Sequence, residues 1–149
     1  MSVFDDVLGD SDAFSEKSFG PQEGFAGILI AASACDGHTS DEEVRGVMKI
    51  LGRMNLYSRL SDQNFGSMMD RVLGVLKKGG PEKLIQKSVP SVPPELRETA
   101  FVNACDVVLA DGVVEDDEKE FIDQMMRQLE IDQDRAKTII KVMVYKNKG

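Results

Sequence analysis

Tryptophan is missing from the 149 residues, histidine occurs once and cysteine twice, and aromatics make up only 6% of the chain. With His38 alone, no pair of imidazoles can share acid and base roles, and a zinc site would need ligands that the sequence does not supply near Cys35 and His38. No glycine-rich phosphate loop and no nucleophile elbow is present, so no catalytic constellation emerges and a non-enzyme is expected. Basic charge is in deficit: 18 Lys and Arg stand against 26 Asp and Glu, a formal net charge of −8. That balance disfavours nucleic acid and favours cations or basic proteins as partners. Long apolar runs are also lacking. The longest, Gly24 to Cys35, falls well short of the roughly 18 residues needed to cross a bilayer, so no direct membrane insertion is expected. The opening Met1-Ser2-Val3-Phe4-Asp5-Asp6 has neither the basic flank nor the apolar core of a signal peptide, and a cytoplasmic location follows as the expectation. Cys35 and Cys105 sit within apolar segments, where a reducing compartment favours buried thiols over a disulfide.

What the chain does contain is helical periodicity. The size is that of one domain able to bury its own core. Residues 1–20 are polar and broken by Gly9 and Gly20, which reads as a flexible arm; residues 21–149 form one all-helical domain. Pro21 suits a first helical turn, and the segment to Cys35 is apolar or small over most of its circumference, the mark of a central helix. Val44, Val47, Met48, Leu51 and Met54 define an amphipathic second helix. Ser61-Asp62 starts a third, carrying Phe65, Met68, Met69, Val72, Val75 and Leu76 as far as Gly79-Gly80-Pro81. Glu82 to Lys87 adds a short turn, and the three prolines between Ser88 and Pro94 make a linker. Helices from Pro94 to Leu109, around Phe121 to Leu129, and from Asp132 past Met143 complete about seven helical segments with no strand. The methionines fall at inward helical positions, where they are core filler.

One pattern occurs twice. Gly24 to Cys35 stops at Asp36-Gly37 and a helix restarts behind Ser40-Asp41-Glu42-Glu43; Ala100 to Ala110 stops at Asp111-Gly112 and a helix restarts behind Glu115-Asp116-Asp117-Glu118. Superposing them pairs Asp36 with Asp111, Gly37 with Gly112, Asp41 with Asp116 and Glu43 with Glu118. Two similar helical-hairpin halves, about 24–55 and 99–130, are therefore expected. The spacing from Asp-Gly to the glutamate equals that of the second half of an EF-hand loop. The first half is missing, because its two carboxylate positions fall on Ala32 and Ala34 in one copy and on Val107 and Leu109 in the other. A single turn thus lacks the oxygens for a tight calcium site. Each acid also has a bland reading: Ser40 with Glu43 fits a capping box, and acids in a first turn complement the helix dipole. The recurrence favours more. Packed about a pseudo-twofold axis, the turns would pool Asp36, Asp41, Glu43, Asp111, Asp116 and Glu118 into an acidic patch that a divalent cation could occupy. All-oxygen surroundings suit magnesium, calcium or manganese rather than zinc.

The turn Cys35-Asp36-Gly37-His38-Thr39-Ser40-Asp41-Glu42-Glu43 and its partner Ala110-Asp111-Gly112-Val113-Val114-Glu115-Asp116-Asp117-Glu118 resemble those of the TerB family of tellurite-resistance proteins, and the opening Met1-Ser2-Val3-Phe4-Asp5 is similar to that family's short leading arm. The resemblance implies an all-helical fold of two similar halves, an acidic metal-binding surface made from the turns, and a cytoplasmic role in tellurite and general stress resistance. It implies no reaction. Its acidic positions fall on Asp36, Glu43, Asp111 and Glu118, flanked by Asp41 and Asp116, and its partners would be a divalent ion and other stress-resistance proteins, some of them membrane-associated. An acidic adaptor that binds protein without metal, or a metal-dependent hydrolase, are the competing readings.

Overall fold

A computed structural model describes residues 18–37, 39–110 and 112–148, and within them the chain is all-helical. The six α-helices are α1 (Pro21–Ala34), α2 (Asp41–Gly52), α3 (Asp62–Ser88), α4 (Arg97–Leu109), α5 (Asp116–Gln128) and α6 (Gln133–Lys146), with 3-10 turns at Asn55–Tyr57, Val89–Ser91 and Pro94–Leu96. The expected seven segments become six elements because the third and fourth run together. Gly80, at φ 77 and ψ −179, interrupts the helical backbone ahead of Pro81, and helix resumes at once. The Gly-Gly-Pro signal therefore makes a kink rather than a loop, since Pro81 is well placed in a new first turn.

Helix α1 is the centre. Pro21 occupies its first turn, Glu23 Oε1 accepts from the Gly20 amide at 2.9 Å, and every residue from Gly24 to Ala34 is buried. Its most extensive packing is against α3, followed by α4, the 3-10 turn Val89–Ser91 and α2. Phe25, Ile28, Leu29 and Ile30 are fully enclosed, and so are Phe101 on α4, Leu84 on α3 and Met125 on α5. Each such side chain contributes about 1.5–3 kcal/mol through apolar area removed from water. Around this centre, α2 buries Val47 and Leu51 and α5 buries Phe121, Ile122 and Met125, the single stripe expected of amphipathic helices.

Two segments are held more firmly than their composition implies. The proline-rich stretch after α3 is no free linker: Ser88 and Val92 are buried, and α1 approaches so closely that a Cβ on Gly27 would collide with Ser88 Oγ. Of the expected arm, residues 1–17 lie outside the described residues, whereas Phe19 is buried, with Lys87 Nζ 5.8 Å from its ring centre. Tyr57 donates from its hydroxyl to Gln22 O at 2.6 Å while Gln22 Nε2 donates to Leu56 O at 2.8 Å, tying the turn after α2 to the start of α1. Among the described residues no helix is long and apolar enough to cross a membrane.

Candidate acidic groove between the two turns

The turn after α1 and the turn after α4 are built alike. The Gly37 amide donates to Ala34 O at 3.0 Å and the Gly112 amide to Leu109 O at 3.1 Å, and both glycines have positive φ, 94 and 78. Left-handed backbone of this kind is open to glycine and costly to branched residues. Each turn then delivers a capped helix. Ser40 Oγ accepts from the Glu43 amide at 3.1 Å while Glu43 Oε1 accepts from the Ser40 amide at 3.0 Å, and Glu118 Oε1 accepts from the Glu115 amide at 2.9 Å. These capping boxes satisfy amides that the first turn of a helix leaves without intrahelical partners. Both α1 and α4 stay helical through the positions that would begin an EF-hand loop, so neither turn is such a loop.

The two turns border one groove of about 440 Å³. Asp36 and Glu43 line it from the first turn, Glu118 from the second, with Val47, Ile50, Val107 and Val108 among its apolar walls. Of the six acids expected in the patch, three therefore share a cavity. Asp41 and Asp116 begin α2 and α5 at exposed positions and do not line it; Asp116 instead stands 3.9 Å from Lys119 one turn on. Asp111 lies outside the described residues, as does His38.

Electrostatic coupling crosses the groove. The half-buried Cys35 thiol is pushed up to about 12, first by burial, then by the negative charges of Glu118 and Asp36, with Asp117 adding a smaller push. Two of those three charges belong to the other turn. Like charges oppose formation of a further anion, so the thiol stays protonated at neutral pH. Cys35 Sγ donates to Ala32 O at 3.2 Å, which adds no thiolate character, and both cysteines are free.

Sequence reasoning missed the far wall. Asp106 on α4 lines the groove and accepts hydrogen bonds from Lys146 Nζ at 3.1 Å and Asn147 Nδ2 at 2.9 Å, both from the end of α6. The available signal was a lone acid within the apolar run Ala100 to Leu109. Its partners lie some forty positions away in sequence and carry no recognisable spacing. Lys146 thus brings a fixed positive charge to the edge of an otherwise acidic groove. Among the described residues, no group of three or more His, Cys, Asp and Glu side chains stands close enough to hold a metal ion.

The described residues thus form an all-helical domain in which two glycine turns each send a capped, acid-led helix to one groove. The family model described as tellurite resistance protein TerB matches residues 22–140, most of the chain, and the chain belongs to that family. No curated protein and no solved structure matches it.

Proposed function

We propose that this TerB-family chain is a non-enzymatic, cytoplasmic module of tellurite and stress resistance that takes up a divalent cation in the acidic groove between its turns. The observation that carries the reading is that Asp36, Glu43 and Glu118, from two turns far apart in sequence, line one cavity. The donor chemistry fits a hard ion. Carboxylates accept through two oxygens each, so Glu43 and Glu118 can cap a helix with Oε1 and still offer Oε2 to a cation. Asp36 and Asp111 would supply the remaining charge, with Asp41 and Asp116 adding to the local field. Calcium or magnesium suits such a set, whereas zinc would demand nitrogen or sulfur ligands. The described carboxylates are not gathered at coordination distance, so binding would draw side chains together and be of the moderate affinity typical of sites that reorganise. The two-halves description serves the same reading, since equivalent turns would offer equivalent ligands.

A second reading rests on Lys146. Its ammonium sits at the groove edge against Asp106, and this pairing supports a reading in which a basic side chain of another stress-resistance protein docks there without metal. The deciding experiment is calorimetric titration of calcium and magnesium into the wild type and into Asp36→Asn/Asp111→Asn. Saturable heat in the wild type that the double variant loses supports the cation site. No heat in either leaves the adaptor as the function, and the cation reading fails.

A further inference from the structure

Large apolar side chains left in water are concentrated at one place. Of the four exposed among the described residues, Val142, Val144 and Tyr145 fall within a single turn of α6, with Tyr145 68% exposed. Scattered apolar residues on a surface are ordinary, whereas a cluster among charged neighbours points to a contact surface. The same stretch is basic. Lys137, Lys141 and Lys148 are exposed, and the one acid in α6 is Asp134, in its first turn. Among the described residues these three lysines pair with no acid, while Arg135 and Lys146 reach across to Glu98 and Asp106 on α4. Helix-dipole stabilisation accounts for cations in a last turn and not for Lys137 and Lys141, which precede it.

At about 100° per residue, Val144, Lys137, Lys141, Tyr145 and Val142 follow one another around α6 within an arc of about 160°. Ala136 and Met143 are buried on the opposite side, with Ile139 and Ile140 packed partly against the core. The end of α6 is fixed on α4, because Asn147 Nδ2 donates both to Met143 O at 3.0 Å and to Asp106 Oδ1 at 2.9 Å. Lys137, Lys141 and Tyr145 form a ridge at four-residue spacing, and Thr138 and Val142 form the next. The furrow between such ridges is what a ridge of a second helix fills. Charge and apolar area are interleaved here. A helix that lies on a membrane instead sorts them to separate sides, and the one continuous apolar side of α6 is turned inward. A lipid sheet or a nucleic acid would also face the rest of a chain of net charge −8, whereas a single acidic helix meets the patch alone.

We propose that the outer face of α6, from Lys137 to Lys148, is a docking site for an acidic amphipathic helix of a partner protein. Carboxylates of that helix pair with Lys137, Lys141 and Lys148, and its apolar side chains pack on Val142, Val144 and Tyr145. Tyrosine gives such a contact both a ring to bury and a hydroxyl to bond. None of these six side chains lines the acidic groove, and the docking face does not depend on whether that groove holds a cation.

The test is amide NMR on the isotope-labelled full chain, in chelator, titrated with a synthetic helical peptide of 14 residues, the length of α6. The peptide carries Leu and Phe on one face and Glu beside them. Saturable amide shifts are expected on α6 around Lys141 and Tyr145, and none of comparable size for a peptide with Lys in place of Glu or with Ala in place of Leu and Phe. Lys137→Gln/Lys141→Gln should weaken binding about threefold or more, as loss of two exposed ion pairs implies, and Tyr145→Ala about tenfold. Arg45→Gln on α2, also at an exposed position, should leave it unchanged. Gln is about as good a helix former as Lys, so the double variant should keep its helical circular dichroism; if it does not, Lys141→Gln alone takes its place. Equal binding of acidic and basic peptides, no shifts on α6, or binding indifferent to both Lys141 and Tyr145 overturns the proposal. Cosedimentation with phosphatidylglycerol vesicles that requires Lys141, without peptide binding, overturns it in favour of a lipid surface. Shifts on α6 that grow with protein concentration alone overturn it in favour of a second copy of the chain.

Discussion

Glu43 and Glu118 hold the same station in different helices: each accepts the backbone amide three residues before it, and each lines the groove that separates them. Capping and ligand binding make different demands on such a residue. A cap needs an acceptor oxygen, which glutamine also supplies, whereas a cation site needs the charge. Glu43→Gln and Glu118→Gln are therefore expected to leave metal-free stability within about 0.5 kcal/mol of wild type, while Glu→Ala costs about 0.3–1.5 kcal/mol by breaking the box. Any rise in thermal midpoint with added calcium should shrink in both Gln variants. Unfolding curves with calcium and with chelator check both halves. Gln variants as destabilised as the Ala variants would show that charge matters to the cap itself.

The turn glycines give a test of the backbone alone. Among the described residues, chain neighbours aside, nothing lies within 4 Å of a Cβ built on Gly37 or Gly112, yet both have strongly positive φ. Gly37→Val and Gly112→Val should each lose about 1–3 kcal/mol, and the loss is assigned to backbone conformation because no described residue stands in the way of the new side chain. Gly27 presents the reverse case. Its backbone is ordinary helix, but Ser88 occupies the space a side chain would need. Gly27→Ala should cost about 1–3 kcal/mol through overpacking, and Ser88→Gly should restore part of it. Denaturant titration of the four single variants and the Gly27/Ser88 pair separates the two mechanisms.

These positions also show what the sequence could reveal. Asp-Gly followed by Ser or Glu and a run of acids announces a turn and a helix start through local chemistry, so Gly37, Gly112, Ser40 and Glu118 could be assigned roles before any coordinates. The central place of α1 was equally legible, because small and apolar residues surround its axis. What could not be read was long-range. Asp106 meets Lys146 and Asn147 only because α4 and α6 pack together, and no pattern in either segment encodes the partner. The Gly79-Gly80-Pro81 signal marked a break without fixing its angle, yet the angle decides that Lys83 shares a pocket with Arg71. Prolines between Ser88 and Pro94 pointed to a linker, and the smallness of Gly27 that lets Ser88 bury itself lies on another helix.

Cys105 supplies a pH test remote from the turns. Its fully buried thiol is raised from an ordinary 9.0 to about 12, by burial first and by the neighbouring Asp106 charge second. Between those values the folded chain holds a proton that the unfolded chain has released. Unfolding then releases protons, so its free energy falls as pH rises. The contribution is complete below about pH 9 and is lost as pH climbs toward 12. The stability difference between wild type and Cys105→Ala should shrink by up to about 2 kcal/mol between about pH 8 and about pH 10.5. Chemical denaturation of both proteins at the two pH values measures it, and subtraction cancels the lysines and tyrosines they share. A constant difference would mean that the thiol ionises alike in the folded and unfolded chains.

The groove itself is tested by a double-mutant cycle on Asp36 and Glu118, which belong to different turns but line one cavity. Helix capping acts within a helix. If the acids served only their own helices, Asp36→Asn and Glu118→Gln would add, with or without metal. A cation between them changes this, because removing the first carboxylate weakens the ion's hold and leaves less for the second to lose. Measured in saturating calcium or magnesium, the two changes should couple by roughly 0.5–3 kcal/mol, as do residues of one network. Removing the ion with a chelator should reduce that coupling or reverse its sign, since only repulsion between the carboxylates then remains, and repulsion is relieved by either substitution. That residual effect should also fade with salt, as the Debye length contracts from about 30 Å at 0.01 M to about 8 Å at 0.15 M. The signs are therefore opposed: an ion makes the paired acids stabilising, and its absence makes them mutually unfavourable. Additivity under every condition would reduce Asp36 and Glu118 to local helix punctuation and remove the ground for a cation in this groove.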